Sequence, residues 1–242
     1  MVLQIHGSPG STCTRRVGVV CEELGIPYEL VVVNLAKGEQ KAPAFLEHQP
    51  FGVVPYIVDD DGYELYESRA VVRYLAAKYN SPLFPKPSDL QKWAKFEQAA
   101  SIEQSNFDVY AAGLAAERVF RPAKGLAGDE NVAQRHIEML SAKLDAYDVI
   151  LSKQRYLAGD EYTLADLFHL PYGALITKIG IDFLVDETKR PHVARCVINS
   201  VARGRPEDYL LTRSSPVDRW WKEISSRPAW QKVKDGLPLK SA

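Results

Sequence analysis

The sequence predicts a small α/β domain over residues 1–81 followed by an all-helical domain over 89–242. Three observations point there. Up to Tyr79 short apolar runs alternate with helical patterns, Pro82, Pro85 and Pro87 crowd a break at 82–88, and beyond it the apolar residues recur only at helical spacing.

Leu3 to Ile5 reads as a strand, and Gly7-Ser8-Pro9-Gly10 as a loop by its glycine and proline content. A helix follows from Ser11 to Leu24, with Val17, Val20, Cys21 and Leu24 on one face and Gly25 and Pro27 as its stop. Tyr28 to Val33 is a second strand. Asn34 to Gln49 reads as loop with one helical turn around Pro43 to Leu46. Phe51 to Tyr79 holds a strand opened by Pro55, a tight turn from Asp59 to Gly62 and a strand from Tyr63 to Tyr66. A helix opened by Glu67-Ser68 follows, its face carrying Val71, Val72 and Leu75 with Tyr74 beside them.

In the second domain Trp93, Phe96, Ala100, Phe107, Tyr110 and Leu114 form one stripe, interrupted by Glu103. Ile137, Leu140, Leu144, Tyr147 and Leu151 form another. Phe107, Tyr110 and Leu114 are candidates for a hydrophobic substrate pocket, and the same spacing is that of a helix core. Thr163 stands three residues before Asp166 at the head of an apolar run, a capping box with Asp in place of the usual Glu or Gln, whose role is folding.

Composition narrows the function. A chain of 242 residues, 46% hydrophobic and 25% charged, can bury a core, and a formal charge of −1 offers no broad field for nucleic acid or an anionic membrane. No basic segment followed by an apolar one opens the chain and no apolar run approaches bilayer length, so a cytoplasmic location is expected. The 3 cysteines, Cys13, Cys21 and Cys196, make no CxxC or zinc spacing, and the 5 histidines show no ligand pattern, so neither a disulfide framework nor a metal is expected.

Two stretches carry chemistry. If the Val54-Pro55 bond is cis, the turn leaves the backbone N–H and C=O of Val54 free for an extended peptide; a trans proline merely starts a strand. Ser68 either caps its helix or, with the first-turn N–H groups, holds a carboxylate while Glu67 takes an ammonium group. Near the N-terminus, Ser11 is a helix cap or a hydroxyl donor, with Thr12 and Thr14 as alternative hydroxyls. Cys13 sits in a first helical turn, where a thiol is acidified and can form a mixed disulfide. Arg15 and Arg16 are either solvated or paired within the domain.

Together, VPYI and the later YESRAVVRYL resemble the glutathione-binding half of cytosolic glutathione transferases. GSPGSTCTRRV, residues 7–17, resembles the G-x-x-x-S-T-x-T-R-R-V segment of the phi class, and the chain is similar to fungal phi-like members nearly throughout. The resemblance implies a thioredoxin-like first domain and a homodimer, with glutathione as co-substrate, no further cofactor, and small hydrophobic electrophiles or aromatic ligands as partners. It implies Ser11 as the catalytic hydroxyl, Val54 beside Pro55 for backbone pairing, Glu67 and Ser68 for the γ-glutamyl end, and Gln40 and Lys41 for the glycine carboxylate. Many phi members have a histidine where this chain has Gln40, and a lysine or glutamine where it has Val53.

Three alternatives stay open: a Cys13-dependent thiol transferase, a non-catalytic binder of aromatic ligands, and an interaction module such as the transferase-like domain in the gamma subunit of translation elongation factor one B. RPHVAR at Arg190 to Arg195 and RWWKEISSRPAWQKV at Arg219 to Val233 adjoin in phi-like members. Here an unusual insert near 196–218 parts them, and it is either a surface loop or translated non-coding sequence.

Overall fold

The computed structural model describes residues 2–185 and 215–239. Cys196, His192 and the insert up to residue 214 lie outside them, and the reading of that insert with them. The described chain divides into two compact units, Met1–Trp93 with Ser226–Ala242, and Ala94–Ser225.

The first unit is built on a four-stranded sheet in the order β2-β1-β3-β4. The chain runs β1 (Leu3–Gly7), α1 (Thr12–Leu24), β2 (Tyr28–Val32), α2 (Pro43–Leu46), β3 (Tyr56–Val58), β4 (Glu64–Tyr66) and α3 (Ser68–Lys78). β1 pairs with β2 in parallel and with β3 antiparallel, and β3 with β4 antiparallel, which is the thioredoxin-like fold expected of the first domain.

Alternation along the strands decides what each face buries. Leu3, Ile5 and Ile57 are buried, as are Val17, Val20 and Cys21 of α1 and Val71, Val72 and Leu75 of α3. On the other face Val33, Phe45 and Tyr56 form a smaller cluster. The rings of His6 and His48 stack on Tyr56 with centroids 4.3 and 5.0 Å away.

The boundary drawn from the sequence assigned everything after residue 88 to the helical domain, and the structure divides it differently. The last described stretch, containing α11 (Pro228–Val233), packs on α1 within the first unit. Trp230, Val233 and Leu237 are buried there, and Arg227 makes a bidentate pair with Glu23 at 2.6 and 2.7 Å.

The helical unit holds the greater part of α4 (Leu90–Glu103), α5 (Val109–Ala115), α6 (Arg121–Ala123), α7 (Glu130–Leu151), α8 (Leu164–Leu167), α9 (Leu170–Lys178) and α10 (Pro216–Ser225). From Leu90 to Ala123 the chain is helical throughout, but π-helical turns at Gln104–Asp108 and Ala116–Phe120 join α4, α5 and α6. A π turn holds an extra residue and rotates the buried face. Glu103, the last residue of α4, lies buried in the stripe it was expected to interrupt, and the face continues through Phe107, Ala111 and Leu114, while Tyr110 is half-buried.

The capping box at α8 is formed as expected. The buried Asp166 carboxylate accepts from the N–H groups of Thr163 and Leu157 at 3.0 and 2.9 Å, and from the Trp220 indole at 2.9 Å. Every one of these partners belongs to the helical core, so Asp166 serves folding.

Candidate functional site

The bond between Val54 and Pro55 is cis. Among the described residues no hydrogen bond uses the Val54 N–H or C=O, so an edge of backbone is left available at that point. The loop leading there is organised by side chains. Gln49 Oε1 accepts from the Phe51 N–H at 2.7 Å, and Lys41 Nζ donates to the Phe51 carbonyl at 3.0 Å. Gly52 adopts φ 61°, and a Cβ there would come within 2.8 Å of the Lys41 side chain, so only glycine lets the lysine lie across the loop. Gln40 Oε1 is buried and has no partner among the described residues.

α3 starts abnormally. At its N-cap position Glu67 holds φ 67° and ψ 99°, and its side chain, exposed to solvent, makes no cap bond. Ser68, the first helical residue, is buried. Its Oγ accepts from Arg16 Nη1 at 3.0 Å.

Arg16 comes from α1 and is wholly buried; the same Nη1 lies 3.5 Å from Cys13 Sγ. One guanidinium thus joins the opening turns of α1 and α3. The sequence left Arg15 and Arg16 open between solvated and paired, and both are buried. A signal for Arg16 was present: it stands four residues before Val20, on the apolar face of α1.

Ser11 is the N-cap of α1, with extended backbone angles, and its Oγ accepts from the Thr14 N–H at 3.4 Å. That is long for such a bond. The hydroxyl proton is not used by the cap, so capping and donation to a ligand are compatible roles for one oxygen. The two alternative hydroxyls are placed differently. Thr12 and Thr14 are buried, and the Thr14 side chain lies against Gly7, where a Cβ would stand 2.6 Å from its Oγ1. Of the three, Ser11 is the one partly open to solvent. Cys13 is also partly exposed, whereas Cys21 is fully buried and burial pushes its thiol far up, which leaves Cys13 as the reactive candidate among the described cysteines.

The structure thus brings Ser11, Cys13, Arg16, Glu67, Ser68, Val54, Pro55, Gln40 and Lys41 into one unit. Phe107, Tyr110 and Leu114 belong to the other. Phe107 and Leu114 have no exposed surface, and the Phe107 ring sits 4.7 Å from that of His169; of the three, Tyr110 alone has surface to offer a ligand. Asp59, Asp60 and Asp61 bring carboxylate oxygens within 4.8 Å of one another, but Lys78 Nζ stands 2.7 and 2.6 Å from the first two and supplies the cation there. No described helix is long and apolar enough to cross a membrane.

Comparison with known proteins gives the same outline. The family model described as "Glutathione S-transferase, N-terminal domain" matches residues 5–83, and that described as "Glutathione S-transferase, C-terminal domain" matches 107–203. Glutathione S-transferase PM239X14 of Arabidopsis thaliana is 48% identical over 196 residues, 80% of this chain and 88% of the relative. Glutathione S-transferase hmp2 of Hypomyces subiculosus is 42% identical over 96% of this chain and 98% of its own. The crystal structure of glutathione transferase F7 from Populus trichocarpa superposes with a TM-score of 0.80 at 34% identity, covering 96% of this chain and 97% of that one.

Proposed function

Because this chain belongs to the glutathione S-transferase family and is an enzyme of it, we propose that it adds the thiolate of glutathione to small hydrophobic electrophiles, with Ser11 as the catalytic hydroxyl. The observation that carries this reading is the partly exposed Ser11 at the head of α1, in the unit that also holds the unpaired backbone of Val54. A free thiol has a pKa near 8.5 and reacts as thiolate. The Ser11 O–H donates to that thiolate and the α1 N-terminus adds its dipole. A shift of about two units, worth about 2.7 kcal/mol, makes the thiolate the main species near pH 7. The cysteinyl unit pairs with Val54 beside Pro55. The γ-glutamyl end takes Glu67 for its ammonium group and Ser68 with the α3 N-terminus for its carboxylate. Lys41 and Gln40 receive the glycine carboxylate, Lys41 through its charge and Gln40 through its side-chain amide N–H groups. Tyr110 contributes to the electrophile pocket.

The chain works as a phi-like enzyme of fungal type in the cytoplasm, in keeping with the near full-length likeness to the Hypomyces relative. It forms a homodimer, to be checked by sedimentation equilibrium. Glutathione is its co-substrate, and no other cofactor enters this reading.

A second reading has one observation behind it: Arg16 Nη1 reaches Cys13 Sγ, as a thiolate partner would. The Cys13 thiolate would then attack the glutathione sulfur of a mixed disulfide, forming a Cys13–glutathione disulfide and releasing the other thiol, and a second glutathione would attack that disulfide to restore Cys13 and leave as oxidised glutathione. Steady-state conjugation of a chloronitrobenzene separates the readings. Ser11→Ala should lower kcat/KM by roughly 10–100-fold, following the lost stabilisation, and Cys13→Ser should leave it within about threefold. Loss in Cys13→Ser alone would replace conjugation with disulfide chemistry, and retention on immobilised glutathione without turnover by any variant would make the protein a carrier.

A further inference from the structure

The loop bearing Ser11 is short of internal support. Its own backbone supplies the Ser11 N–H to the Ser8 carbonyl at 3.0 Å, and the Pro9 carbonyl between them accepts from Leu237 at 3.2 Å, a residue from the far end of the chain. That bond is one of a set. The Leu237 side chain covers Gly18 on α1, where a Cβ would approach it within 2.8 Å, so glycine is what lets the tail lie against the helix. Arg15 Nη1 donates to the Lys234 carbonyl, and its guanidinium lies 5.7 Å from the centre of the Trp230 ring. The Ser11 carbonyl itself accepts the backbone N–H of residue 15 at 2.9 Å, the first bond of α1, so the turn that Arg15 ties to the tail is the one that Ser11 caps. Farther along α1, Glu22 and Glu23 hold Lys232 and Arg227 at 2.9 and 2.6 Å. All these residues belong to one unit, and none of these contacts involves the helical unit.

We propose that the C-terminal segment from Arg227 to Leu237 is a brace that fixes the direction of the Ser11 hydroxyl, with Leu237 and Arg15 as positioning residues for the reaction. The proposal rests on the reading of Ser11 given above. A hydroxyl aimed at a thiolate must be held within a few tenths of an ångström to keep a short charge-assisted bond. The Pro9–Leu237 bond restrains the chain two residues before that hydroxyl, and the Arg15 guanidinium ties the chain four residues after it to the Lys234 carbonyl and the Trp230 ring.

The brace acts on the thiolate and leaves the contacts that hold the rest of glutathione in place. Leu237→Pro in the full chain removes the N–H that reaches Pro9; Leu237→Ala removes only the side chain over Gly18. Three quantities are measured for each: the ultraviolet titration of the bound thiolate, kcat with KM for glutathione, and thermal unfolding. Leu237→Pro should raise the titration midpoint by about one unit and lower kcat near pH 6.5 by roughly tenfold, with KM for glutathione changed less than about threefold. Leu237→Ala should shift both in the same direction by less, and it decides the matter if the proline variant does not fold.

A midpoint and kcat that stay at the wild-type values while unfolding moves to lower temperature would make the tail a merely structural element and overturn the proposal. Ser11→Ala, measured alongside, keeps the two ideas apart. If Ser11→Ala moves the thiolate and the Leu237 variants do not, the brace is wrong and the Ser11 reading stands. If Ser11→Ala moves nothing, the Ser11 reading fails, and with it the proposal that rests on it.

Discussion

At Glu67 the backbone takes φ 67° and ψ 99°, a region that costs a residue with a Cβ about 1–3 kcal/mol. A chain keeps such a conformation where something else depends on it, and here the next residue starts α3 with a buried hydroxyl. Glycine alone relieves that strain, so the usual order of stability between alanine and glycine should reverse at this position. Glu67→Gly is expected to unfold at a higher temperature than Glu67→Ala, by a difference of about 1 kcal/mol, while both bind glutathione more weakly than wild type for want of the carboxylate. Calorimetry on the two apoproteins with isothermal titration of glutathione checks it, and a glycine variant less stable than the alanine one would remove strain from the account. The sequence places Glu67 and Ser68 side by side at a helix start, which is where the structure has them. The strain was not legible, because nothing in the residue types demands a positive φ at a glutamate. The division among Ser11, Thr12 and Thr14 was equally hidden, since it depends on Thr14 packing against Gly7.

Elements were easier to read than their attachments. The DDDG turn between β3 and β4 was evident from composition, and the strand and helix limits followed from period and stop signals. What the turn does was not evident, because its partners lie on α3. The buried Asp59 carboxylate receives Lys78 Nζ at 2.7 Å, the Tyr74 hydroxyl and the Asp60 N–H at 2.8 Å. Burial raises the Asp59 pKa, but the bonds from Lys78 and Tyr74 outweigh it and hold the carboxyl below its ordinary value. The unfolded chain therefore takes up the proton first as the solution is acidified. The stabilisation is complete above the unfolded pKa of about 3.9 and is lost as the pH falls through the lower, folded value. Asp59→Asn should be less stable than wild type at pH 7 and should lose less on going to acid. Urea unfolding across that range measures it, and parallel curves for the two proteins would show that Asp59 is not the group responsible. The π turns of the helical unit are hidden for a related reason: the apolar stripe continues on either side of each, and a single inserted residue leaves no mark in composition.

For the whole molecule, the prolines at 82–88 mark a break, and periodicity beyond it predicts helical domain from 89 to 242. The closing stretch indeed reads as helix, with two tryptophans before it and one within it. Periodicity reports what an element buries and says nothing of which unit receives it, so the return of the chain to α1 was invisible. The structure makes the first unit from both ends of the sequence, 1–93 and 226–242. That arrangement has a measurable consequence. Without the closing stretch α1 exposes the surface that otherwise covers Trp230, Val233 and Leu237, each worth about 1.5–3 kcal/mol when buried, and leaves Glu22 and Glu23 without their cations. A protein of residues 1–93 alone should be only marginally stable, and a peptide of residues 226–239 should bind to it and raise its melting temperature with peptide concentration, as any ligand of the native state does. The ordering of the peptide opposes this gain, so weak binding is expected, in the micromolar to millimolar range rather than tighter. A Leu237→Ala peptide should bind more weakly and an Arg227→Ala peptide should bind with reduced salt dependence, because Arg227 supplies the charged contact to Glu23. Should the melting temperature of 1–93 be independent of the wild-type peptide up to millimolar concentration, the packing of the two chain ends would contribute nothing to the stability of the unit.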